Sequence, residues 1–356
     1  MKTMTKKERV LRTLNFQETD RTAVYDVISG DHIAEHYNGA PLTPENGWKA
    51  VCLAAKETLD MTRMLRPPTF IEGSVAVEGE YEGYTNYHQR WTNWIEKRPY
   101  NDQKAAEEWI KKHIDYLNNW KADRTYAEWF HQDIINTQKL IGDDTVIVRE
   151  SPVGFDSAYI WLGLEMFTFI NLDNPELIDE YLEALVNREI KKAQAVGNPE
   201  IMPVALTYSD IAYKGSLLFS GDQLRKQFIP RLKRLVDTWH ETGTKCLFHS
   251  DGDLKEILPD LVTAGIDGLN PIEKAAGLEM KEVVDFCGDK IFMAGGIDVS
   301  TLLPFGTEEE VRAECRKMID IVGPGYFIGS TTELHPTIPA ENILAMIDVA
   351  HNYKRM

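Results

Sequence analysis

The chain has few cysteines, few cations for its acids, and no long apolar run. Nowhere do about 18 consecutive apolar residues occur, so no membrane-crossing helix is expected. The four cysteines, Cys52, Cys246, Cys287 and Cys315, lie far apart without a CxxC pair, which excludes a disulfide framework and a zinc knuckle. They read as reduced, mostly buried thiols. Basic residues number 39 against 56 acids, a net charge of -17. A field of that sign repels phosphate backbones and anionic lipid surfaces, so neither nucleic acid nor membrane is an expected partner. The opening MKTMTKKERVLRTL is basic but carries no leader-like apolar stretch, and the reading is cytoplasmic. No internal repeat, low-complexity tract or Pro/Gly-rich linker argues for a second folding unit.

What is there is a rhythm of strands and helices over a 43% hydrophobic composition, enough for a large core. From about residue 140 onward, β-rich runs alternate with amphipathic stretches, the pattern of a parallel α/β sheet. The runs are TVIVRE (Thr145 to Glu150), MPVALTYSD (Met202 to Asp210), KCLFHSD (Lys245 to Asp251), GIDGLNPIE (Gly265 to Glu273), KIFMAGGID (Lys290 to Asp298) and GYFIGSTTE (Gly325 to Glu333). Helix signals lie between them: Asp173 as a cap before Pro175, and Thr307 as a cap with Glu310 three residues later. Two earlier strands, TAVYDV (Thr22 to Val27) and DMTRMLR (Asp60 to Arg66), bring the number to eight, with Met61 and Met64 read as core. Eight strand-helix units predict a single TIM (β/α)8 barrel over residues 1–356, with an insert at about 70–135 that reads as a β-hairpin followed by helices.

In such a barrel chemistry gathers at the C-terminal strand ends. Those ends carry Asp26, Glu150, Asp210, the His249/Asp251 pair, Glu273, Asp298, and Thr332/Glu333 with His335 close behind. Acids converging on one mouth repel one another unless protons or a cation neutralise them, and a metal ion is the economical answer. Asp26, Asp210 and Asp298 have an ordinary alternative as turn or cap residues, and His249 as a core histidine bonded to a carbonyl. His249 and Asp251 stand two apart on a strand, so both can face one ion. The insert is rich in aromatics, among them Tyr81, Tyr84, Trp91, Trp94 and Trp129. They either pack it against the barrel or form a lid over an aromatic ligand.

Four blocks, KKERVLRTLNFQETDRTAVYD, SPVGFDSAYIWLGLEMF, YSDIAYKGSLLFSGDQLRKQFIPRLKRLVD and GGIDVSTLLPFGTEEEVRAECRKMI with HPTIPAENILAMID, resemble the uroporphyrinogen decarboxylase superfamily in order and spacing. The resemblance implies a TIM barrel and one of two activities: cofactor-free tetrapyrrole decarboxylation, or zinc-dependent methyl transfer with a corrinoid protein. The decarboxylase branch holds its polycarboxylate with an arginine-bearing motif after the first strand. Here VYDVISGDHIAEHYN offers Asp26, Asp31 and Glu35 instead, which would repel that substrate.

The methyltransferase branch is the better match, with one departure. Its thiol methyltransferases carry His-x-Cys-Gly at the fifth strand and a second cysteine after the eighth. Here the first motif reads His249, Ser250, Asp251, Gly252, and Thr332 stands at the second position. Either the metal is lost or the site is a harder one of imidazole and oxygen, with His249, Asp251, Glu273 and Glu333 as ligands. The harder site suits an oxygen-linked donor, a methyl ether, possibly a methoxylated aromatic, or methanol. The resemblance then implies that the reduced cobalt of a partner corrinoid protein takes the methyl carbon while metal or acid stabilises the leaving oxygen. Asp210, Tyr208, Lys214 and Glu150 are the expected catalytic residues. Asp26, Tyr213, Trp91, Trp94 and Asp298 are expected to bind substrate. Two alternatives stay open: methyl transfer from a methylcorrinoid to tetrahydrofolate or a thiol, and a non-catalytic barrel that binds a corrinoid, tetrapyrrole or aromatic ligand.

Overall fold

The computed structural model describes residues 3–63, 65–142 and 144–355. Its strands in chain order are β1 (Ala23–Asp26), β2 (Met61–Arg63), β3 (Gly73–Ala76), β4 (Thr85–His88), β5 (Asn93–Lys97), β6 (Val146–Val148), β7 (Glu150–Pro152), β8 (Val204–Tyr208), β9 (Ala212–Tyr213), β10 (Ser216–Leu217), β11 (Lys245–His249), β12 (Gly268–Asn270), β13 (Phe292–Ala294) and β14 (Tyr326–Ile328). Nine of them form one parallel sheet in the order β6-β2-β1-β14-β13-β12-β11-β8-β7. The two end strands are halves of one stave interrupted at Arg149: β6 pairs with β2 and β7 with β8. The sheet therefore closes on itself as an eight-staved TIM barrel.

The staves are shorter than the sequence runs because the polar residues at their far ends leave the ladder for loops. Met61 is fully buried, while Met64 lies outside the described residues. The insert is a three-stranded antiparallel sheet, β3-β4-β5, followed by helices Gln103–Asn119 and Arg124–Ile141. Most of its aromatics do pack: Tyr81 stacks on Trp161 with centroids 3.6 Å apart, and Tyr84 meets Trp109 edge-on at 5.5 Å. Thr307 and Glu310 form the expected reciprocal cap. Asp173, by contrast, ends the preceding helix, and Asn174 occupies the cap position before Pro175. No helix among the described residues is long and apolar enough to cross a membrane.

Alternate residues of each stave point inward. Tyr25, Met61, Val148, Leu206, Leu247, Phe292 and Phe327 fill the barrel axis, and Val10 and Leu14 of helix Lys6–Thr13 and its C-cap plug the bottom. A buried charge cluster fixes that plug. Asp60, with no exposure, accepts from Arg9 Nη1 at 2.7 Å, from Arg21 Nη1 at 2.7 Å and from the Val24 amide at 2.9 Å.

Candidate active site at the barrel mouth

The same alternation that fills the axis also builds the mouth. Two residues beyond Met61, Val148, Leu206 and Leu247 come Arg63, Glu150, Tyr208 and His249, so all four inherit the inward direction. Register places them side by side: Arg63 opposite Val148, Glu150 opposite Leu206, and His249 between Tyr208 and Asn270. The parity of Asp26 is the opposite, and its carboxylate turns into the wall. There it accepts from the Ser330 amide and hydroxyl, both at 2.7 Å, and from the Val27 amide at 2.8 Å.

His249 is buried, and its Nδ1 lies 2.7 Å from Asn270 Oδ1. The amide orientation follows from its other end, since Asn270 Nδ2 donates to the Ala294 carbonyl at 3.0 Å. Nδ1 therefore carries the proton and donates, which leaves the lone pair on Nε2. That nitrogen faces two carboxylates, with Asp251 Oδ1 at 3.8 Å and Asp210 Oδ1 at 3.9 Å. Burial, and then the charge of Arg63, push the imidazole down to about 4, so it is neutral at pH 7. One ligand atom from each of Asp210, His249 and Asp251 lies within 4.8 Å of the others.

The acids here are crowded. Burial, reinforced by Asp210 and Glu273, pushes the Asp251 carboxyl up to about 7 against the pull of Arg63. Thr332 Oγ1 reaches Asp251 Oδ1 at 3.4 Å, so the residue in the place of the family's second cysteine does meet this cluster. Glu273 stands one step back, where its Oε2 accepts from the Gly252 amide at 3.0 Å. Gly252 itself has φ +97, and a Cβ there would lie 2.5 Å from the Tyr213 nitrogen. Only glycine lets hairpin β9-β10 press so closely on the loop after β11.

One member was not read from the sequence as a site residue. Asp156 at the start of helix Phe155–Leu162 is buried and accepts from Ser209 Oγ at 3.0 Å, while its own amide donates back to that oxygen at 2.9 Å. Burial and the neighbouring Asp210 push its carboxyl up to about 7. The available signal was its position just after a stave, in the GFDS turn, and only the fold brings it beside Asp210.

Beside the cluster lies a cavity of about 340 Å³ lined by Ser29, Arg63, Trp91, Glu150 and Glu333 among others. Glu333 accepts from Ser29 Oγ at 2.8 Å, so it belongs to this cavity's wall. The loop between β4 and β5 forms the roof. Arg90 pairs with Asp31 at 2.8 Å, and Trp91 Nε1 donates to Asp31 Oδ1 at 2.6 Å. A larger cavity, about 430 Å³, opens among residues 17–22, 323–326 and 353–355, near the plugged end and away from these groups.

Several sequence candidates are not gathered into this cluster. Asp298 caps the turn into helix Leu302–Phe305, accepting from the Thr301 and Leu302 amides at 2.8 and 3.0 Å. Lys214 and Tyr213 are exposed on hairpin β9-β10, Tyr213 at 54%. Trp94 is 46% exposed and stacks on Tyr87 on the outer sheet. His335 Nε2 is spent on the Val299 carbonyl at 3.0 Å.

A family model described as uroporphyrinogen decarboxylase (URO-D) matches residues 177–353. Methylcobamide:CoM methyltransferase MtbA of Methanosarcina acetivorans is 24% identical over 198 residues, 54% of this chain and 53% of the relative, so the match spans about half the length of that protein. Among solved structures, a methyltransferase from Methanosarcina mazei superposes with a TM-score of 0.68 at 19% identity over 98% of both chains, which shows a common fold. The chain belongs to the uroporphyrinogen decarboxylase superfamily, and its resemblance within it is to the corrinoid-dependent methyltransferase branch.

Proposed function

We propose that the chain transfers a methyl group from an oxygen-linked donor, a methyl ether or methanol, to the corrinoid of a partner protein. The observation that carries this reading is the donor set at the mouth: a neutral imidazole with its Nε2 lone pair facing two carboxylates. One nitrogen and carboxylate oxygens fit a borderline-hard ion such as zinc, and the residues are close enough to share it. The ligands are then His249, Asp251 and Asp210, with Glu273 and Glu333 in reserve. Zinc held there would supply a Lewis acid for the donor oxygen.

The chain's own residues do the rest. Asn270 keeps the imidazole in the ligating tautomer and fixes its ring. Tyr208 points inward beside His249, and burial holds its phenol well above the ordinary range, so it stays a proton donor for the leaving oxygen. Trp91 and the β4-β5 loop cover the neighbouring cavity and limit water. Glu150, inward on β7, stands on the wall of that cavity. Lys214 is exposed on its hairpin and is assigned no step.

The name of the similar Methanosarcina protein, a methylcobamide:CoM methyltransferase, favours a second reading, transfer from a methylcorrinoid to a thiol. The test is to mix zinc-loaded protein with cob(I)alamin and methyl ethers or methanol, and separately with methylcobalamin and a thiol. Methylation of cobalamin by an oxygen-linked donor supports the first reading; demethylation by a thiol alone overturns it.

A further inference from the structure

Arg63 ends β2 and lines the 340 Å³ cavity. Its charge is held by no hydrogen bond or ion pair among the described residues; Tyr25, Glu150, Glu333 and Asp251 act on it only through space. Glu333 is engaged by Ser29 instead. One layer below on the neighbouring stave, Tyr25 is in register with Met61, so its side chain and that of Arg63 share the inward row. Tyr25 is 3% exposed and does not line the cavity, so of these two side chains Arg63 alone faces it. An unpaired, mostly enclosed guanidinium that lines a cavity is a donor lacking an acceptor there.

From this guanidinium we infer that the cavity is an anion subsite that holds a carboxylate carried by the methyl donor, with the Arg63 fork on its two oxygens. The geometry suits a planar monoanion, since a guanidinium presents parallel N–H groups to a carboxylate. Arg66 and Arg90 also line the cavity, Arg90 already paired with Asp31, and Glu150 and Glu333 offset the remaining cations, which favours a monoanion over a dianion such as phosphate. The volume accommodates a molecule the size of a methoxybenzoate, with Trp91 available to its ring. The word donor rests on the methyltransferase reading; the carboxylate binding does not.

Calorimetric titration of 3-methoxybenzoate and of neutral methoxybenzene into the full-length zinc-loaded protein tests the subsite. The expected result is that Arg63→Gln weakens 3-methoxybenzoate binding about tenfold or more, with methoxybenzene unaffected. Arg63→Lys, which keeps the charge without the fork, recovers part of the loss, and unchanged zinc content and melting temperature show that each variant folds. No binding of 3-methoxybenzoate, equal affinity for both compounds, or an equal loss for both in Arg63→Gln overturns the subsite. The two proposals fail separately. Arg63-dependent binding of 3-methoxybenzoate without methylation of cob(I)alamin by any donor sinks the methyltransferase reading alone. Methylation by neutral ethers with no binding of 3-methoxybenzoate sinks the subsite alone.

Discussion

Asn270 decides which nitrogen of His249 is free, because its own amide is pinned to the Ala294 carbonyl and leaves only its oxygen to face the ring. Replacing it with alanine leaves the imidazole free to rotate and to change tautomer. Zinc affinity of Asn270→Ala is expected to fall about 10–100-fold while the fold persists, as read by competition with a chromophoric chelator. Unchanged affinity would mean that Asn270 does not orient the ligand. At this scale the sequence showed His249 and Asp251 clearly, since two polar residues two apart at a strand end have a definite direction. It could not show that Asp210 joins them, nor that Asp156 sits behind Asp210, because those contacts cross from one stave to the next. Asp26 and Asp298 were misleading for a local reason: each sits at a strand end, yet each is consumed by nearby donors.

The elements make the mouth by continuation. A stave whose inward positions are apolar through the axis keeps the same parity at its end, so Arg63, Glu150, Tyr208 and His249 follow from Met61, Val148, Leu206 and Leu247. Strand count and barrel closure were legible for this reason. The break at Arg149, which splits one stave into β6 and β7, was not, since the charged pair Arg149–Glu150 reads as an ordinary polar strand end and does not show that the ladder changes partner there. The roof depends on a single side chain: Asp31 holds both Arg90 and Trp91. Asp31→Ala should loosen the β4-β5 loop, raising the donor's KM roughly two- to tenfold with zinc content unchanged. Steady-state kinetics with a tryptophan fluorescence readout checks this, and an unaltered KM would show that the loop does not cover the donor.

For the whole molecule, the acids that converge at the mouth are balanced by a plug of opposite design at the bottom, where Asp60 is shared by Arg9 and Arg21. Removing Asp60 strands Arg21 and leaves buried Arg9 with Asp20 as its remaining carboxylate partner. Asp60→Ala is expected to lower stability by about 3–5 kcal/mol in chemical denaturation, and a change within experimental error would contradict the role of this cluster. Buried Asp26 and Asp156 set a pH dependence of the opposite sign to the usual carboxylate case. Burial raises both from 3.8 to about 7, so the folded chain keeps protons that the unfolded chain gives up between those values. Their contribution is greatest in acid, declines as pH rises through that window, and is flat above about 7. Asp26→Asn should therefore reduce the loss of melting temperature between about pH 5 and about pH 8 relative to the unsubstituted chain.

The convergence of Asp210, His249 and Asp251 beside a roofed cavity is the arrangement that the proposed methyl transfer requires, whereas in a barrel without that chemistry such acids are expected to point apart or be taken up by arginines. The most direct measurement is the absorbance of cob(I)alamin incubated with zinc-loaded protein and an oxygen-linked methyl donor. The expected result is conversion to methylcobalamin that is abolished by a chelator and by His249→Ala, and restored by zinc in the unsubstituted chain alone. Conversion at the full rate in His249→Ala or in chelated protein would contradict the account.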